Sequence, residues 1–531
     1  MQGWRWTVRV VEIRDLDGPN WFRLEPVIKL ELAQDPDDDS SRLFEYVSTR
    51  IAVAHELVNE PAPRISRHAI DTPDQFVVAF DWRWRSFSMG AARFAVDDSR
   101  SPSDIEVAEK LRRRLDADHD EHDCPVWVRD SERTVRSVGI TGTNGKTTTT
   151  RLLAHIAQHA GTRVGWSSST GVYINGEAVL EGDYSGPSGA RRVLLDPNVE
   201  LGILETARGG LLLRGLAYES NDVGVFLNIS ADHLSLQGVD TVESLADVKS
   251  VVIQVTRPDG LVVLNADDPL ILSFEAKSPA PVALTSQRPN AEPVRRHIER
   301  GRLAVVREDD DIAVYRDGKR NGIAKLSDVP MTYGGAAPFM VDNALAATAA
   351  ALGLGFEPAK IAAGLSTFRN DSQSNKGRLN IFEVEDRTAI IDYAHNDIGL
   401  AGLAGFARNI SSPGSKLHVV VGTAGDRRDE DFMALGRTAC DLADIVYLKD
   451  TPGYRRGRVP GEMARLMRHG FSGATGRAKL AGEFDDEIAG FIAALEGSES
   501  GDLIAVMCQV DQDRILDEIR RRGGREREID R

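Results

Sequence analysis

The first part of the chain contains short stretches in which hydrophobic and polar residues alternate, as they do in β-strands. Three strands are predicted in this way, at Trp6–Ile13, Ile28–Leu32 and Phe76–Phe80. Leu43–Val58 has the character of a helix. Together these elements predict a small α+β domain. In the charged stretch that follows, the pattern favours a helix over Ser103–Leu115 and then a linker.

From about Val126 onwards, short apolar strands alternate with stretches of helix length. The predicted strands are Val135–Ile140, Leu201–Leu204, Val223–Asn228 and Gly260–Asn265, and the predicted helices are Lys146–Ala160, Val242–Val255 and Asn343–Leu352. This order is typical of a parallel sheet covered by helices on both faces. Within Leu303–Ile323, alternation on either side of Arg316-Asp317-Gly318 predicts a β-hairpin.

A third block of the same kind begins near Lys376. Its predicted strands are Thr388–Asp392, Lys416–Val421, Ile445–Leu448 and Leu503–Val506, and its predicted helices are Ile398–Ala407, Phe432–Leu442, Gly461–Arg468 and Phe484–Leu495. We therefore predict an α/β chain with a small N-terminal α+β domain and linker at 1–125. A central domain with a parallel sheet follows at 126–375, and a smaller C-terminal α/β domain at 376–531.

Composition supports three domains and narrows the class of protein. At roughly 100–200 residues per domain, the 531 residues correspond to about three domains. The 65 Lys and Arg residues and 81 Asp and Glu residues give a net charge of −16, which argues against binding to nucleic acid or anionic membranes. Three scattered cysteines do not form a disulfide framework. Without an apolar run of roughly 20 residues or a signal-peptide pattern, we expect a cytoplasmic protein.

The clearest chemical signal is a glycine-bearing loop between a predicted strand and a predicted helix, which is the setting of a P-loop. Gly142 and Gly145 allow backbone amides to face phosphate oxygens at a helix N-terminus. Lys146 is expected to contact the β- and γ-phosphates, and the Thr147 hydroxyl to bind Mg²⁺. The predicted phosphate-binding residues are Gly142, Thr143, Asn144, Gly145, Lys146, Thr147 and Thr148. Ile140 stands where the usual pattern has its first glycine.

The core of this loop, Gly-Thr-Asn-Gly-Lys-Thr-Thr, resembles the form found in the Mur ligase family, whose members use ATP to join a carboxylate to an amine. Further runs resemble the Mur-ligase half of the cyanophycin synthetases, at 204–210, 228–233, 262–269 and 425–431. The stretch 17–21 is similar to the start of those enzymes. They carry an ATP-grasp domain between these two parts. Here the N-terminal segment passes almost directly into the P-loop.

The resemblance implies three residues near the metal. Glu205 matches a Mg²⁺ ligand, and it follows an apolar strand, at the edge where open α/β sheets bind ligands. His233 matches a residue at a second metal, and Lys249 matches a lysine that many Mur ligases carry as a carbamate. The alternatives are a surface carboxylate for Glu205, a packing or capping histidine for His233, and an ordinary solvated lysine for Lys249.

On the nucleotide side, the resemblance implies that Asn343 contacts adenine, and an amide can both donate and accept there. Phe339 and Met340 stand where the family usually has His-Asn. The alternative is a plain N-cap at the start of the predicted helix. Arg378 matches an arginine that reaches ATP from the third domain, and Asp392 matches a residue near the ribose.

On the amine side, the resemblance places a second glycine-bearing loop, together with His395, near the incoming substrate. Asp426, Asp429 and Glu430 are candidates for holding a cationic amino acid, and Arg427 or Arg428 for meeting phosphate or carboxylate. A solvated charged turn is the alternative for this loop.

The leading hypothesis is an ATP-dependent carboxylate–amine ligase that acts through an acyl phosphate and needs Mg²⁺. The expected catalytic residues are Lys146, Glu205, His233, Lys249 and Arg378. Expected partners are a small acid and an amine, and a homo-oligomer is compatible with the sequence. The alternatives are an inactive nucleotide-binding scaffold or partner subunit, and an amidating ligase that receives ammonia from a glutaminase. A P-loop motor fits less well, because the resemblance extends through all three domains.

Overall fold

The structure, a computed structural model, describes residues 9–35, 39–97, 104–117, 123–232 and 234–527. These residues form three sheets, one for each part of the chain. The N-terminal strands are β1 (Arg9–Leu16), β2 (Val27–Ala33), β3 (Ile65–Ala69) and β4 (Gln75–Asp81), and the helices are α1 (Ser40–Glu56), α2 (Arg85–Val96) and α3 (Asp104–Leu115). The strands pair antiparallel in the order β1-β2-β4-β3.

The predicted α+β character of this region is confirmed, with differences at its ends. Leu43, Val47 and Ile51 of α1 pack on Ile28 and other residues of the sheet, which forms the core. The sequence pattern does not reveal β3, an edge strand whose Ile-Ser-Arg-His-Ala sequence lacks a buried face. The first part of the strand predicted at Trp6–Ile13 lies outside the described residues.

The central sheet has eleven strands. They are β5 (Arg136–Thr141), β6 (Val164–Ser168), β7 (Gly171–Ile174), β8 (Glu177–Glu181), β9 (Leu201–Glu205), β10 (Asn221–Phe226), β11 (Thr256–Asn265), β12 (Val282–Ser286), β13 (Ala304–Glu308), β14 (Asp311–Arg316) and β15 (Lys319–Lys325). Their order is β15-β14-β13-β12-β11-β10-β5-β9-β6-β7-β8. From β13 to β6 all pairs are parallel, and an antiparallel hairpin flanks each side.

Helices cover both faces of this sheet, as predicted. They are α4 (Lys146–His159), α5 (Pro187–Leu194), α6 (Arg208–Leu213), α7 (Val242–Gln254), α8 (Pro269–Leu272), α9 (Glu292–Glu299), α10 (Pro338–Gly353) and α11 (Pro358–Thr367). Residues of α4, α10 and α11 share one core with the sheet, and residues of α5, α6 and α7 share another. The predicted hairpin is present as β14 and β15, and both Asp317 and Gly318 in its turn have positive φ.

One predicted helix start is wrong. The helix expected to begin at Asn343 begins at Pro338, and its N-cap is Ala337. Proline at the first position of a helix has the φ that the helix needs. Most of α10 is buried, so its sequence has no polar face to show where the helix begins.

The C-terminal strands are β16 (Asn380–Val384), β17 (Arg387–Asp392), β18 (Leu417–Val421), β19 (Ile445–Lys449), β20 (Lys479–Phe484), β21 (Leu503–Met507) and β22 (Arg525–Glu526). The helices are α12 (Asp397–Ile410), α13 (Asp429–Leu442), α14 (Glu462–Ser472), α15 (Glu487–Glu496) and α16 (Gln512–Arg521). The strand order is β20-β19-β18-β21-β17-β16-β22, parallel from β20 to β17. Residues of α12 join the core that contains α4 and α10, so this sheet is packed against the central one.

Candidate active site

The P-loop connects β5 to α4. Gly142 and Gly145 have φ values of 154° and 86°, in the region that favours glycine. Lys146 Nζ donates hydrogen bonds to the carbonyl oxygens of Gly142 at 3.0 Å and Thr143 at 2.8 Å. Burial lowers the pKa of Lys146, and the Glu205 carboxylate acts in the opposite direction. The loop therefore holds a half-buried cation at a helix N-terminus, an arrangement suited to phosphate.

The neighbouring parallel strand β10 holds the loop in place. Beyond its end, Asn228 Oδ1 accepts from the Asn144 N–H at 2.9 Å, and Asn228 Nδ2 donates to the Asn144 carbonyl at 3.0 Å. The Ser230 N–H donates to Thr143 Oγ1 at 3.0 Å. Asn228 opens one of the family-like runs in the sequence, but the resemblance gave it no such role. Its position after a strand parallel to β5 is the signal that could have indicated it.

A group of side-chain oxygens lies beside the first turn of α4. Thr147 Oγ1 donates to Glu205 Oε1 at 3.1 Å, and the Ser169 N–H donates to Glu205 Oε2 at 3.2 Å. Thr147 Oγ1 and Ser169 Oγ are 3.1 Å apart. Glu205 is 3% exposed, so the surface-carboxylate alternative is wrong. Hydroxyl and carboxylate oxygens are the ligands that Mg²⁺ prefers, so this donor set fits the ion.

Lys249 projects from α7 towards the same loop. Its Nζ donates to the Gly142 carbonyl at 2.8 Å, and the side chain is buried. The alternative of a solvated lysine is therefore wrong. Burial, reinforced by the charge of Lys146, holds the pKa of Lys249 well below its ordinary value. His233 lies outside the described residues, where its predicted metal role stays a prediction.

Asn343 lies against the end of the P-loop. A Cβ on Gly145 would be 2.2 Å from Asn343 Oδ1, and Thr149 Oγ1 donates to that oxygen at 3.2 Å. Since Asn343 is inside α10, the N-cap alternative is wrong. Phe339 packs beside Gly402 of α12, and Met340 is buried with its Sδ 3.7 Å from Asn343 Nδ2.

The C-terminal domain contributes Arg378 to this pocket. Arg378 Nη2 donates to Thr147 Oγ1 at 3.3 Å, and its guanidinium lies 4.2 Å from the centre of the Tyr393 ring. The Asp392 carboxylate accepts from the backbone N–H of Leu379 at 2.8 Å and of Ala394 at 2.7 Å. Burial raises the pKa of Asp392. In this structure Asp392 shapes the turn next to Arg378.

An interdomain ion pair lies on the other side of the P-loop. Asp232, from the central domain, pairs with Arg427 and lies 3.5 Å from His395 Nε2. Both partners belong to the C-terminal domain. Burial lowers the pKa of His395, and the Asp232 carboxylate acts in the opposite direction. The structure thus brings His395 and Arg427 to the pocket.

The remaining predicted amine-side residues lie farther along the same loop. Asp429 and Glu430 form the first turn of α13, where Asp429 pairs with Arg458 at 2.8 Å and Glu430 is exposed. Asp426 exerts an electrostatic influence on Arg208, a buried residue at the start of α6. Arg427 therefore pairs directly with the central domain, whereas Asp429 pairs within the C-terminal domain.

Arg151 is a second arginine near Thr147 and Glu205, and neither the motifs nor the resemblance predicted it. Its guanidinium donates to Asn375 Oδ1 at 3.1 Å and Thr170 Oγ1 at 2.8 Å. Burial lowers its pKa to about 10. The nearby Thr148 hydroxyl accepts from Asn375 Nδ2 at 3.4 Å. Arg151 is four residues after Thr147 on α4, so helix periodicity places both side chains on one face and could have indicated it.

The fold and this site define a three-domain α/β protein whose P-loop faces a smaller C-terminal α/β domain. Residues 140–351 match the Mur ligase middle domain, and residues 377–509 match the Mur ligase, glutamate ligase domain. The chain therefore belongs to the Mur ligase family, a family of amide-forming ligases.

Known relatives agree with this assignment. The chain is 43% identical over 335 residues to the cyanophycin synthetase of Trichormus variabilis, covering 63% of this chain and 37% of that enzyme. It is 28% identical over 384 residues to the UDP-N-acetylmuramoyl-L-alanyl-D-glutamate–2,6-diaminopimelate ligase of Chlorobaculum tepidum, covering 70% of each. The fold is similar to that of E. coli FolC in complex with DHPP and ADP, with a TM-score of 0.52, 20% identity, and 74% and 90% of the two chains covered.

Two further kinds of feature are absent from the described part of the chain. None of the helices described has both the length and the apolar character that crossing a bilayer requires. Within the same part of the chain, no group of three or more His, Cys, Asp or Glu side chains could hold a metal. The oxygen group at Glu205 includes Thr147 and Ser169, which are not of these types.

Proposed function

We propose that this protein is an ATP- and Mg²⁺-dependent ligase that joins a carboxylate to an amine through an acyl phosphate. The observation that carries the proposal is the meeting of three groups at the P-loop: the half-buried Lys146, the Thr147–Glu205 oxygen pair, and Arg378 from the C-terminal domain. Membership of a family of amide-forming ligases supports the same reaction type.

In the proposed reaction, an oxygen of the substrate carboxylate attacks the γ-phosphorus of ATP, and the bond to the bridging oxygen breaks to release ADP. The amine nitrogen then attacks the acyl carbon, inorganic phosphate leaves, and the nitrogen loses a proton. Mg²⁺ would neutralise phosphate charge, held by Thr147, Glu205 and, by resemblance, His233. Lys146 and Arg378 would oppose the charge of the transferred phosphoryl group.

Lys249 would take part as a carbamate. A neutral amine adds to CO₂ and releases a proton, and the strongly depressed pKa of Lys249 favours that neutral form. Its Nζ lies 2.8 Å from the Gly142 carbonyl, so the added anionic oxygens would lie beside the P-loop. Bicarbonate should then raise the activity of dialysed protein, and Lys249→Ala should abolish that response. A bicarbonate effect of equal size in Lys249→Ala would rule out the carbamate.

For substrates, we propose a small acid or peptide and an amino acid or other amine. The relatives named above support this class without selecting a member of it. Since the match covers 37% of the cyanophycin synthetase, polymer synthesis is not part of the proposal. Composition favours a cytoplasmic protein for such a reaction.

The test is amine-dependent release of ADP. The protein would be incubated with ATP, Mg²⁺ and a panel of carboxylic acids and amines, with Lys146→Ala as the inactive control. We expect ADP in equal amount to a new amide, formed only when acid and amine are both present. Tight ATP binding without turnover on any panel member would favour a nucleotide-binding scaffold. Turnover with ammonia as the only accepted amine would favour an amidating ligase.

A further inference from the structure

The N-terminal domain contacts the central domain beside the P-loop pocket through the loop between β3 and β4. Asp71 Oδ2 accepts hydrogen bonds from the N–H groups of Asp240 at 2.8 Å and Thr241 at 2.9 Å, and from Thr241 Oγ1 at 3.0 Å. Asp71 Oδ1 accepts from Ser244 Oγ at 2.8 Å. The Asp71 N–H donates to the Gly238 carbonyl at 3.2 Å. The side chain of one residue of the N-terminal domain is thus hydrogen-bonded to three residues of the central domain.

These contacts lie at the start of α7. Thr241 is the N-cap of that helix and accepts from the Ser244 N–H at 3.2 Å. A carboxylate at a helix N-terminus is favoured by the helix dipole. Burial would raise the pKa of Asp71, but the hydrogen bonds outweigh it and hold the pKa below its ordinary value. Asp71 is therefore an anion that accepts hydrogen bonds from Thr241, the N-cap residue of α7.

The main chain just before α7 also packs closely against the N-terminal domain. Gly238 has a φ of 75°, and a Cβ at that position would lie 2.9 Å from Ile70 Cδ1. A second contact lies near α6, where the Asp17 N–H donates to the Arg214 carbonyl at 2.8 Å. The N-terminal domain thus contacts the chain next to both α6 and α7, the helices that follow β9 and β10 on either side of β5.

Asp71 holds the end of the segment 234–241, which follows two residues that contact the rest of the site. Ser230 is bonded to the P-loop residue Thr143, and Asp232 pairs with Arg427 of the C-terminal domain. Arg208 Nη2 donates to the Leu236 carbonyl at 2.8 Å. After this segment, α7 carries Lys249 to the Gly142 carbonyl.

We propose that Asp71 is a positioning residue, which fixes the segment 234–241 and the first turn of α7 from the N-terminal domain. The N-terminal domain is thereby part of the scaffold that places Asp232 and Lys249 at the P-loop. The catalytic consequence rests on the function proposed above, whereas the placement of the segment does not. Two measurements on the full chain distinguish the placement of the segment from its catalytic consequence.

The variants are Asp71→Asn and Asp71→Ala. Asparagine keeps the shape, but its Nδ2 cannot accept the bonds that one carboxylate oxygen accepts. Glu45→Gln is the matched control, because Glu45 is an exposed carboxylate on α1 of the same domain. The first measurement is amide hydrogen exchange at 238–249. The second is ADP release as a function of Mg²⁺ and ATP concentration.

We expect exchange at Asp240, Thr241 and Ser244 to become about tenfold faster in Asp71→Asn, while the C-terminal domain exchanges as in the wild type. Turnover should fall by about tenfold or more, with a higher Mg²⁺ requirement and a KM for ATP within about twofold of wild type. Glu45→Gln should match the wild type in both measurements.

Wild-type exchange at 238–249 in both variants would overturn the proposal, whatever the turnover. Faster exchange with an unchanged Mg²⁺ requirement and kcat would also overturn it, since Asp71 would then be merely structural. If the wild type shows no ligase turnover, faster exchange at the segment would still support the placement by Asp71. The absence of turnover in the wild type would then count against the proposed function and not against the placement by Asp71.

Discussion

At the scale of single residues, Glu205 combines a charge with burial. Its carboxylate is 3% exposed at the end of β9, and Thr147 and the Ser169 backbone donate to its two oxygens. A buried carboxylate is costly unless it is hydrogen-bonded and paired with a cation. Lys146 supplies a positive charge nearby, and a bound Mg²⁺ would supply a second.

Replacing this carboxylate tests its proposed role. Glu205→Gln keeps the shape of the side chain and removes the charge, so we expect ATP-dependent turnover to fall on the order of 100-fold and its Mg²⁺ requirement to rise. ADP release measured over a series of Mg²⁺ concentrations checks this. Glu200→Gln is the matched control, because Glu200 is an exposed glutamate just before the other end of β9, paired with Arg163. A Mg²⁺ requirement in Glu205→Gln equal to the wild type would contradict the assignment.

The sequence could indicate some of these residues and not others. Glu205 comes at the carboxyl end of an apolar strand. Ligands of open α/β sheets bind at the edge where the carboxyl ends of the strands lie, so the sequence could indicate this residue. Lys249 is indicated only by resemblance, because a lysine on a helix is usually solvated. Ser169 donates its backbone N–H to Glu205, and a backbone donor leaves no residue pattern along the chain.

At the scale of elements, a buried ion pair joins β19 to the start of α15. Lys449 Nζ donates to Glu487 Oε1 and to Gln509 Oε1, both at 2.6 Å. Gln509 Nε2 in turn donates to the Ala394 carbonyl at 2.6 Å, next to His395. This network therefore supports a loop of the candidate site from inside the C-terminal domain.

Breaking this pair should destabilise the C-terminal domain. Glu487→Gln leaves the fully buried Lys449 ammonium without its counter-charge, which lowers the free energy of unfolding by about 3–5 kcal/mol. Urea unfolding followed by circular dichroism measures the change. Glu496→Gln, at the exposed end of the same helix, is the control and should change it by less than about 0.5 kcal/mol. A loss below about 1 kcal/mol in Glu487→Gln would show that the pair is weakly coupled to folding.

The same pair predicts that the protein loses stability at acidic pH. Burial raises the pKa of Glu487, but Lys449 and the backbone N–H groups of Gln509 and Asp511 lower it further, to about 2 from an ordinary 4.5. The folded state thus holds the ionised form more strongly than the unfolded state does. This contribution is fully present above pH 4.5 and is lost as the pH falls towards about 2. Melting temperatures over this range should fall more steeply for the wild type than for Glu487→Gln, and parallel curves would contradict the assignment.

Elements differ in how far the sequence could predict them. The hairpin of β14 and β15 is predicted because Asp317-Gly318 supplies the turn, with φ values of 52° and 72°. The helix predicted from Phe484 starts at Glu487 instead, after its N-cap Asp486, because Phe484 completes the alternating strand β20. Strand β8 is exposed along its whole length, so it has no hydrophobic pattern to indicate it.

At the scale of the whole molecule, all three parts of the chain meet around the P-loop. Asp71 reaches it from the N-terminal domain through segment 234–241, and Arg378 and Arg427 reach it from the C-terminal domain. The resemblance indicated Arg378 and the loop of Arg427, but not the interdomain partner Asp232. Pairing between distant residues depends on how the domains dock, which no local pattern specifies. The family resemblance can carry over a residue's role without showing its partner.

The pair of Arg427 with Asp232 connects the C-terminal domain to the central domain, and it adds to the apolar contact made by α12. Arg427→Gln removes the buried charge while keeping a long side chain. Losing one member of a buried interdomain charge pair costs about 2–5 kcal/mol, so we expect an open arrangement of the domains to gain population by about tenfold or more. Limited proteolysis of the connection between α11 and β16 should accelerate accordingly, while the near-ultraviolet circular dichroism of the folded domains stays unchanged. Arg437→Gln, on an exposed position of α13, should be cleaved at the wild-type rate. Cleavage of Arg427→Gln at the wild-type rate would mean that the apolar contact alone holds the domains together.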